Sequence, residues 1–531
     1  GRRAGGALAG AALAAALAAA LCTGAGAATP LVRASAGPSP FRPGCDGVAA
    51  DGTNYANSEV EVRVAVDPRD PAHAVGVWQQ DRWSTGGAHG LVAAMTFDGG
   101  AHWARSFAAF SRCAGGTAAN GGDYPRSSDP WVDLAPNGDV YQASLSVDLE
   151  TVTTGVLVSR SRDGGRTWES PVTLQHDRGN AFNDKESVTA DPTDPTGRRV
   201  YVTWDRLSGL ALPALPASPL PLLPVAGPAM LARTTDGGAT WEPGRPIYDP
   251  GPGRQTIGNH IVVLPDGTLV DGFAVGSGGL GRDADGGRDG GGGTIGDGRD
   301  AGGAGDDDGD NPPFDLDPET LSGFAVGVIR STDHGATWSA LTIIDDMKPA
   351  ENSARMRAGQ ILPDFAVDPT TGTVAAVWLD GRFDPQKRSA VALSTSSDGG
   401  RTWSAARRVN QTPGNGAAVL PTVAYAADGT LGVAYYDFRN RALGSTALTA
   451  DAWLATCPRP CGPGAPFTEI HLGGPFDAAK APDSGGAFLG DYEGLAGSGT
   501  GPVPGRFKAF FVEADPGTAD DPTDVFTRDA G

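Results

Sequence analysis

Four short phrases set an Asp and an Arg close behind an aromatic residue: Trp78-Gln79-Gln80-Asp81-Arg82, Trp204-Asp205-Arg206, Trp378-Leu379-Asp380-Gly381-Arg382 and Tyr435-Tyr436-Asp437-Phe438-Arg439. Each ends a run that alternates as a β-strand does. If Arg82, Arg206, Arg382 and Arg439 point into one cavity, they can grip a carboxylate bidentately. If each turns instead to Asp81, Asp205, Asp380 or Asp437, the pairs merely brace their own loops. A second set of polar residues precedes other strands: Glu59, Asp129, Asp184-Lys185-Glu186, Asn259-His260, Asp364 and Asp491-Tyr492-Glu493. Such carboxyls suit glycoside hydrolysis, which needs a proton donor and either a nucleophile or a water-activating base. Tyr492 and Glu493 are adjacent and on a strand point to opposite sides. The Tyr492 or Tyr436 hydroxyl could instead face Glu186 across a cavity, with Asp129 and Asp184 as further carboxyls of the same set. His260 is a further base or ligand candidate, against a purely structural role. No nucleophile-elbow serine, phosphate loop or zinc-type His cluster is present.

The elements that would carry these residues repeat. Ser161-Arg162-Asp163-Gly164-Gly165-Arg166-Thr167-Trp168 recurs around Asp236, Asp333 and Asp398, and in degenerate form around Asp98. Asp-Gly supplies the positive φ of a hairpin turn, and the Asp, Ser and Thr side chains can satisfy the turn's own amides. A strand, tight turn and strand precede each copy, as in Val132 to Tyr141 with its turn at Asn137-Gly138. The unit is thus four antiparallel strands, A to D, with the phrase at the C–D turn. Tandem all-β units of this size predict a β-propeller. Six A–B hairpins are clear. A seventh unit begins at Phe488 to Ala496 and continues through Phe507 to Val512 and Val525 to Thr527. Residues 28–58 would then contribute a closing strand near Leu31 to Ser35. Seven blades over 59–531 are favoured, with six plus an extension as the alternative.

The S-x-D-x-G-x-T-W phrase is the Asp-box, and the chain resembles secreted bacterial sialidase-like (BNR repeat) proteins over almost all of its length. That resemblance implies an active face opposite the Asp-box turns Asp98, Asp163, Asp236, Asp333 and Asp398. The A-strand starts and B-strand ends share that opposite face. It also implies an arginine-lined axial pocket, a Tyr nucleophile helped by a Glu, and an Asp acid/base. The Arg-Ile-Pro phrase of sialidases is absent near the first unit, where the nearest candidates are Pro125-Arg126 and Arg82. The expected activity is an exported exo-α-sialidase-like hydrolase of acidic glycans. A non-catalytic glycan- or protein-binding propeller and an interaction scaffold are the alternatives.

Composition bounds these readings. The 62 acidic and 41 basic side chains give a formal charge of −21, which excludes a generic nucleic-acid binder. The 79 Gly and 42 Pro interrupt almost every window long enough for a helical bundle. Residues 1–27 read as a signal peptide: Arg2-Arg3, an Ala/Leu run to Leu21, then Ala25-Gly26-Ala27. Cys22 leaves a lipid anchor as the lesser alternative. The remaining Cys45, Cys113, Cys457 and Cys461 suggest disulfides in an oxidising compartment, with Cys45–Cys113 and Cys457–Cys461 favoured over other pairings or a four-Cys zinc site. Insertions at 208–228 and 276–313 fall between strands B and C. The second is acidic (Asp306-Asp307-Asp308-Gly309-Asp310) and could hold a structural calcium, although it lacks fixed ligand spacing. No other cofactor or metal is implied, no stretch after the signal spans a membrane, and a monomer is expected.

Overall fold

The fold was analysed in a computed structural model that describes residues 1, 29–49, 52–179, 181–208, 226–277, 323–350, 356–413, 416–442, 444–498 and 507–531. The segment read as a signal peptide and most of both insertions lie outside the described residues. The chain is all-β, and its named helix is a single 3-10 turn at Ala478–Lys480. No described helix is long and apolar enough to cross a membrane.

Strand pairing groups into antiparallel four-stranded meanders. The first runs Glu59–Val66, Ala74–Arg82, Ala88–Thr96 and Ala104–Ser106. The second runs Arg126–Leu134, Val140–Asp148, Thr153–Ser161 and Val172–Arg178. The same order recurs from Ala181–Ala190, Arg254–Val263, Asp364–Val367 and Ala418–Tyr425. The last sheet is composite. Gly494–Gly497, Phe507–Glu513 and Asp524–Ala530 are joined by Val32–Arg33 from the other end of the chain. The first strand of each meander packs on the first strand of the next, and Gly494–Gly497 packs back on Glu59–Val66.

The second strands carry the largest apolar groups. Trp78, Trp204 and Trp378 are fully buried. Each indole N–H still finds an acceptor, at Gln80 Oε1, Asn183 Oδ1 and Asp380 Oδ2, so a large ring is buried without losing its hydrogen bond.

Five third-to-fourth-strand turns share one hydrogen-bond pattern. In the turn at 161–168, Ser161 Oγ donates to Asp163 Oδ1 and accepts from Gly165 N, at 2.8 Å each. Asp163 also accepts from Thr167 N at 2.9 Å and Thr167 Oγ1 at 2.6 Å. The turns at Asp236, Asp333 and Asp398 repeat these bonds. At Asp98 the Thr is replaced by His102, whose Nδ1 lies 2.6 Å from Asp98 Oδ2. The polar groups satisfy one another locally, so the turn stays closed while its Trp rests half-buried on the sheet. The carboxylates pay for this with acidity: hydrogen bonds hold Asp163 at about 2 despite some burial.

Two disulfides are present. Cys45–Cys113 ties the N-terminal segment to the loop after the first meander, and Cys457–Cys461 staples the short loop after Thr449–Cys457.

Replacing Asp163 by Ala removes three hydrogen bonds from one turn. The expected outcome is a loss of about 1–2 kcal/mol in the denaturant unfolding free energy. Asp163→Asn, which keeps one acceptor oxygen, should lose less.

Candidate functional site

The inner strands share a defect that creates the site. Their pairing slips by one residue between Val60 and Arg63, Ser128 and Trp131, Asp184 and Ser187, Ile257 and His260, and Val419 and Thr422. At each slip one residue has positive φ: Glu61, Asp129, Lys185, Gly258 and Leu420. Glycine adopts this backbone freely, as at Gly258. The four others cost about 1–3 kcal/mol each, and such strain persists only where the surroundings over-determine it. The bulge leaves amides unpaired, and acidic side chains of the preceding meander take them up. Asp129 Oδ2 accepts from Lys185 N at 3.2 Å. Asp205 accepts from Gly258 N at 2.8 Å and Thr256 Oγ1 at 2.6 Å. Asp364 accepts from Val423 N at 2.9 Å and Thr422 Oγ1 at 2.7 Å.

The bulges gather a charged cluster around Trp131. The Arg63 guanidinium lies 3.6 Å from the Trp131 ring centroid and Lys185 Nζ 4.4 Å, both in cation–π range. His260 meets the ring edge-on at 5.0 Å, and Tyr492 lies 5.6 Å away. Lys185 Nζ also sits 3.5 Å from the Tyr492 ring. Asp364 holds Arg63 at 3.3 Å and His260 Nδ1 at 3.2 Å. Burial pulls the His260 imidazole down and Asp364 only partly restores it.

Two carboxyl pairs lie in this cluster. Asp184 is hydrogen-bonded to Asp129, and burial first, then the Asp129 charge, push it well above the usual carboxylate range. Glu61 is raised by burial and by Asp129 and Asp491, and it hydrogen-bonds Asp491. Burial also raises Asp491, but Arg357 outweighs it and holds Asp491 low; the guanidinium meets that carboxylate at 3.2 and 2.5 Å. Burial and neighbouring like charges thus both favour the neutral form of Asp184 and of Glu61.

Arg82 and Arg357 form the cationic side. Each guanidinium carbon lies 4.6 Å from the Phe488 ring centroid. The strand Met356–Arg357 pairs in parallel with Ala487–Phe488, which brings Arg357 and Phe488 together, while Arg82 ends the strand Ala74–Arg82. Arg82 donates to Gln79 Oε1 at 2.7 Å and Ser484 Oγ at 3.1 Å, while its Nε is buried without a partner. Burial lowers Arg82 to about 10.

Of the residues predicted from sequence, Tyr492, Glu186, Asp129, Asp184 and Arg82 come together here. Tyr492 donates to the Pro130 carbonyl at 3.3 Å. Burial and then Glu61, Asp129 and Glu186 hold its phenol neutral. Glu186 is fully buried, neither of its oxygens has a hydrogen-bond partner, and burial raises it. Arg206, Arg382 and Arg439 do not converge on the cluster. Arg206 pairs with Asp177 at 2.6 Å, and Arg382 bridges Asp380 and Asp345 at 2.9 and 2.6 Å. Arg439 joins Asp437 to Glu469 at 2.6 and 2.8 Å and covers Trp453. Each partner lies in the same or the preceding meander, so these arginines brace loops. Asp81 likewise faces Ser39, Asn57 and His89.

Glu61, Arg63 and Arg357 were not singled out by sequence. Glu61 and Arg63 lie on one alternating strand whose slip in register is invisible there, and Arg357 belongs to no repeated unit.

No family model matches the chain, and no curated protein sequence does. Among solved structures, the Hadza microbial sialidase Hz136 superposes with a TM-score of 0.42 at 17% identity, covering 86% of this chain and 73% of that one. The GH93 α-L-arabinofuranosidase of Fusarium graminearum gives 0.43 at 13%, covering 84% and 98%. A PL25 ulvan lyase gives 0.43 at 12%, covering 80% and 81%. At that distance the chemistry has to be read from this chain's own residues.

The buried carboxyls set a pH dependence. Burial raises Asp133 to about 6, and Asp205 and Glu513 to about 7. Between an unfolded value of about 4 and these values the folded state binds more protons, so stability falls as pH rises through that window, by up to about 1.4 kcal/mol per unit per group. The turn carboxylates act oppositely, and their contribution is lost only below about pH 4. The urea midpoint should therefore be higher at about pH 5 than at about pH 8, and Asp133→Asn should flatten the slope.

Proposed function

We propose that this chain is an exported, sialidase-like glycoside hydrolase acting on acidic glycans. In this reading the meanders are the blades of a seven-bladed propeller with Asp-box turns on one face and the charged cluster at the axis of the other. The observation that carries it is the convergence of Asp129, Asp184 and Tyr492 on the Trp131 cluster, where burial and the Asp129 charge raise Asp184 well above the usual carboxylate range. A glycosidase needs one carboxyl protonated and a second group ready to attack the opposite side of the sugar. Asp184 gives its proton to the glycosidic oxygen as the C–O bond breaks. Tyr492 Oη bonds to the anomeric carbon and its proton passes to Glu186, whose buried carboxylate takes one up readily. Water then attacks the anomeric carbon as the Tyr492 Oη–C bond breaks; Glu186 returns its proton to Tyr492 Oη, and Asp184, now ionised, accepts the water's proton. Arg82 and Arg357 orient the substrate carboxylate, which favours sialic-acid-type sugars over neutral ones.

Glycan binding without turnover is the second reading. It is favoured by the Arg357–Asp491 and Arg63–Asp364 ion pairs, which engage both guanidiniums with the protein's own carboxylates. A panel of fluorogenic sialosides and uronides separates the two. Release of aglycone is expected, with kcat lowered about 10²–10⁴-fold in Asp184→Asn and KM raised in Arg357→Ala. Saturable binding with no release across the panel would establish the second reading instead. Full activity in Tyr492→Phe would remove that residue from the attack.

A further inference from the structure

A different acidic cluster lies where the two ends of the chain meet. Glu59 opens the first inner strand, Asp521 precedes the last strand, and Asp524 begins it. One oxygen from each lies within 4.8 Å of the others. Arg33, on the N-terminal strand that completes the last sheet, pairs with Asp521 Oδ2 at 3.0 Å and with Asp524 Oδ1. Ser35 Oγ also donates to Asp524 Oδ1, at 2.6 Å, and Gln80 Nε2 donates to Glu59 Oε1 at 2.7 Å. Those contacts use one oxygen of each carboxylate. Of the remaining three, Glu59 Oε2 and Asp524 Oδ2 have no hydrogen-bond partner, although Glu59 is 1% exposed and Asp524 fully buried.

Buried carboxylate oxygens without donors are costly, and native proteins nearly always satisfy them. Three carboxylates against one guanidinium leave two negative charges, which one divalent cation neutralises. All-oxygen ligation suits a hard cation and not a thiophilic one. The position is held firmly: Thr523 Oγ1 accepts from Glu59 N at 3.1 Å and donates to Glu59 O at 2.9 Å.

We propose that Glu59, Asp521 and Asp524 form a calcium-type cation site that fastens the N-terminal strand and the last strand to the first meander. The cation joins segments more than 450 residues apart in the chain, so it opposes opening of the sheet where the short Val32–Arg33 strand pairs with the last strand.

The full chain, stripped with EDTA, is titrated with CaCl₂ by calorimetry and melted with and without the ion. Calcium at about 100 times its Kd should raise the melting midpoint by about 3–6 °C. Asp521→Asn and Glu59→Gln should both abolish the rise. A rise that survives in both variants, for example one that depends on the acidic stretch 306–310, overturns the proposal, as does no rise at all. Hydrogen exchange of the wild type needs no variant to fold. Calcium should slow exchange at 32–35 and 521–527, and unchanged exchange there also overturns the site.

Discussion

A one-residue slip in the pairing of the inner strands is the constraint on which the rest depends. A regular strand would send alternate side chains to opposite faces and leave each amide paired. The slip turns Glu61, Asp129 and Lys185 into left-handed backbone and carries their side chains into the shared centre. It also frees amides that only a neighbouring meander can satisfy, and Asp129, Asp205 and Asp364 do so. The same carboxylates thus hold adjacent meanders together and build the charged cluster. Strain, inter-sheet cohesion and chemistry are one feature here.

Burial then decides the protonation of the cluster. Burial and the Asp129 charge raise Asp184, and burial with the Asp129 and Asp491 charges raises Glu61. Arg357 resolves the second pair by fixing the charge on Asp491, whereas the first has no such cation bound to it. Asp491 is therefore anchored as an ion, whereas Asp184 is held toward its neutral form. That difference gives the two carboxyl pairs different chemical capacities, although their residue types are alike.

The arginines show how a repeat can mislead about a site. Arg206, Arg382 and Arg439 recur at equivalent places because they perform the same bracing task in each unit, on Asp177, Asp345 and Glu469. The guanidiniums that reach the cluster come from unequal positions: Arg63 on an inner strand, Arg82 at a second-strand end, and Arg357 on a short strand between units. Symmetry serves the scaffold, and departures from it serve the site.

The chain's alternation of apolar residues and its recurrent Asp-Gly turns determined the strands, their grouping in fours and the self-satisfied corners, because those depend on contacts a few residues apart. The same local logic marked Asp129, Asp184, Glu186 and Tyr492 as inner-strand residues on one face. Tertiary structure alone decided which of them meet. Register slips of one residue leave no trace in composition, and the Arg357–Asp491 and Arg33–Asp524 contacts join segments 134 and 491 positions apart. Over such distances the partner of a charge is set by the path of the backbone, and no local pattern encodes it.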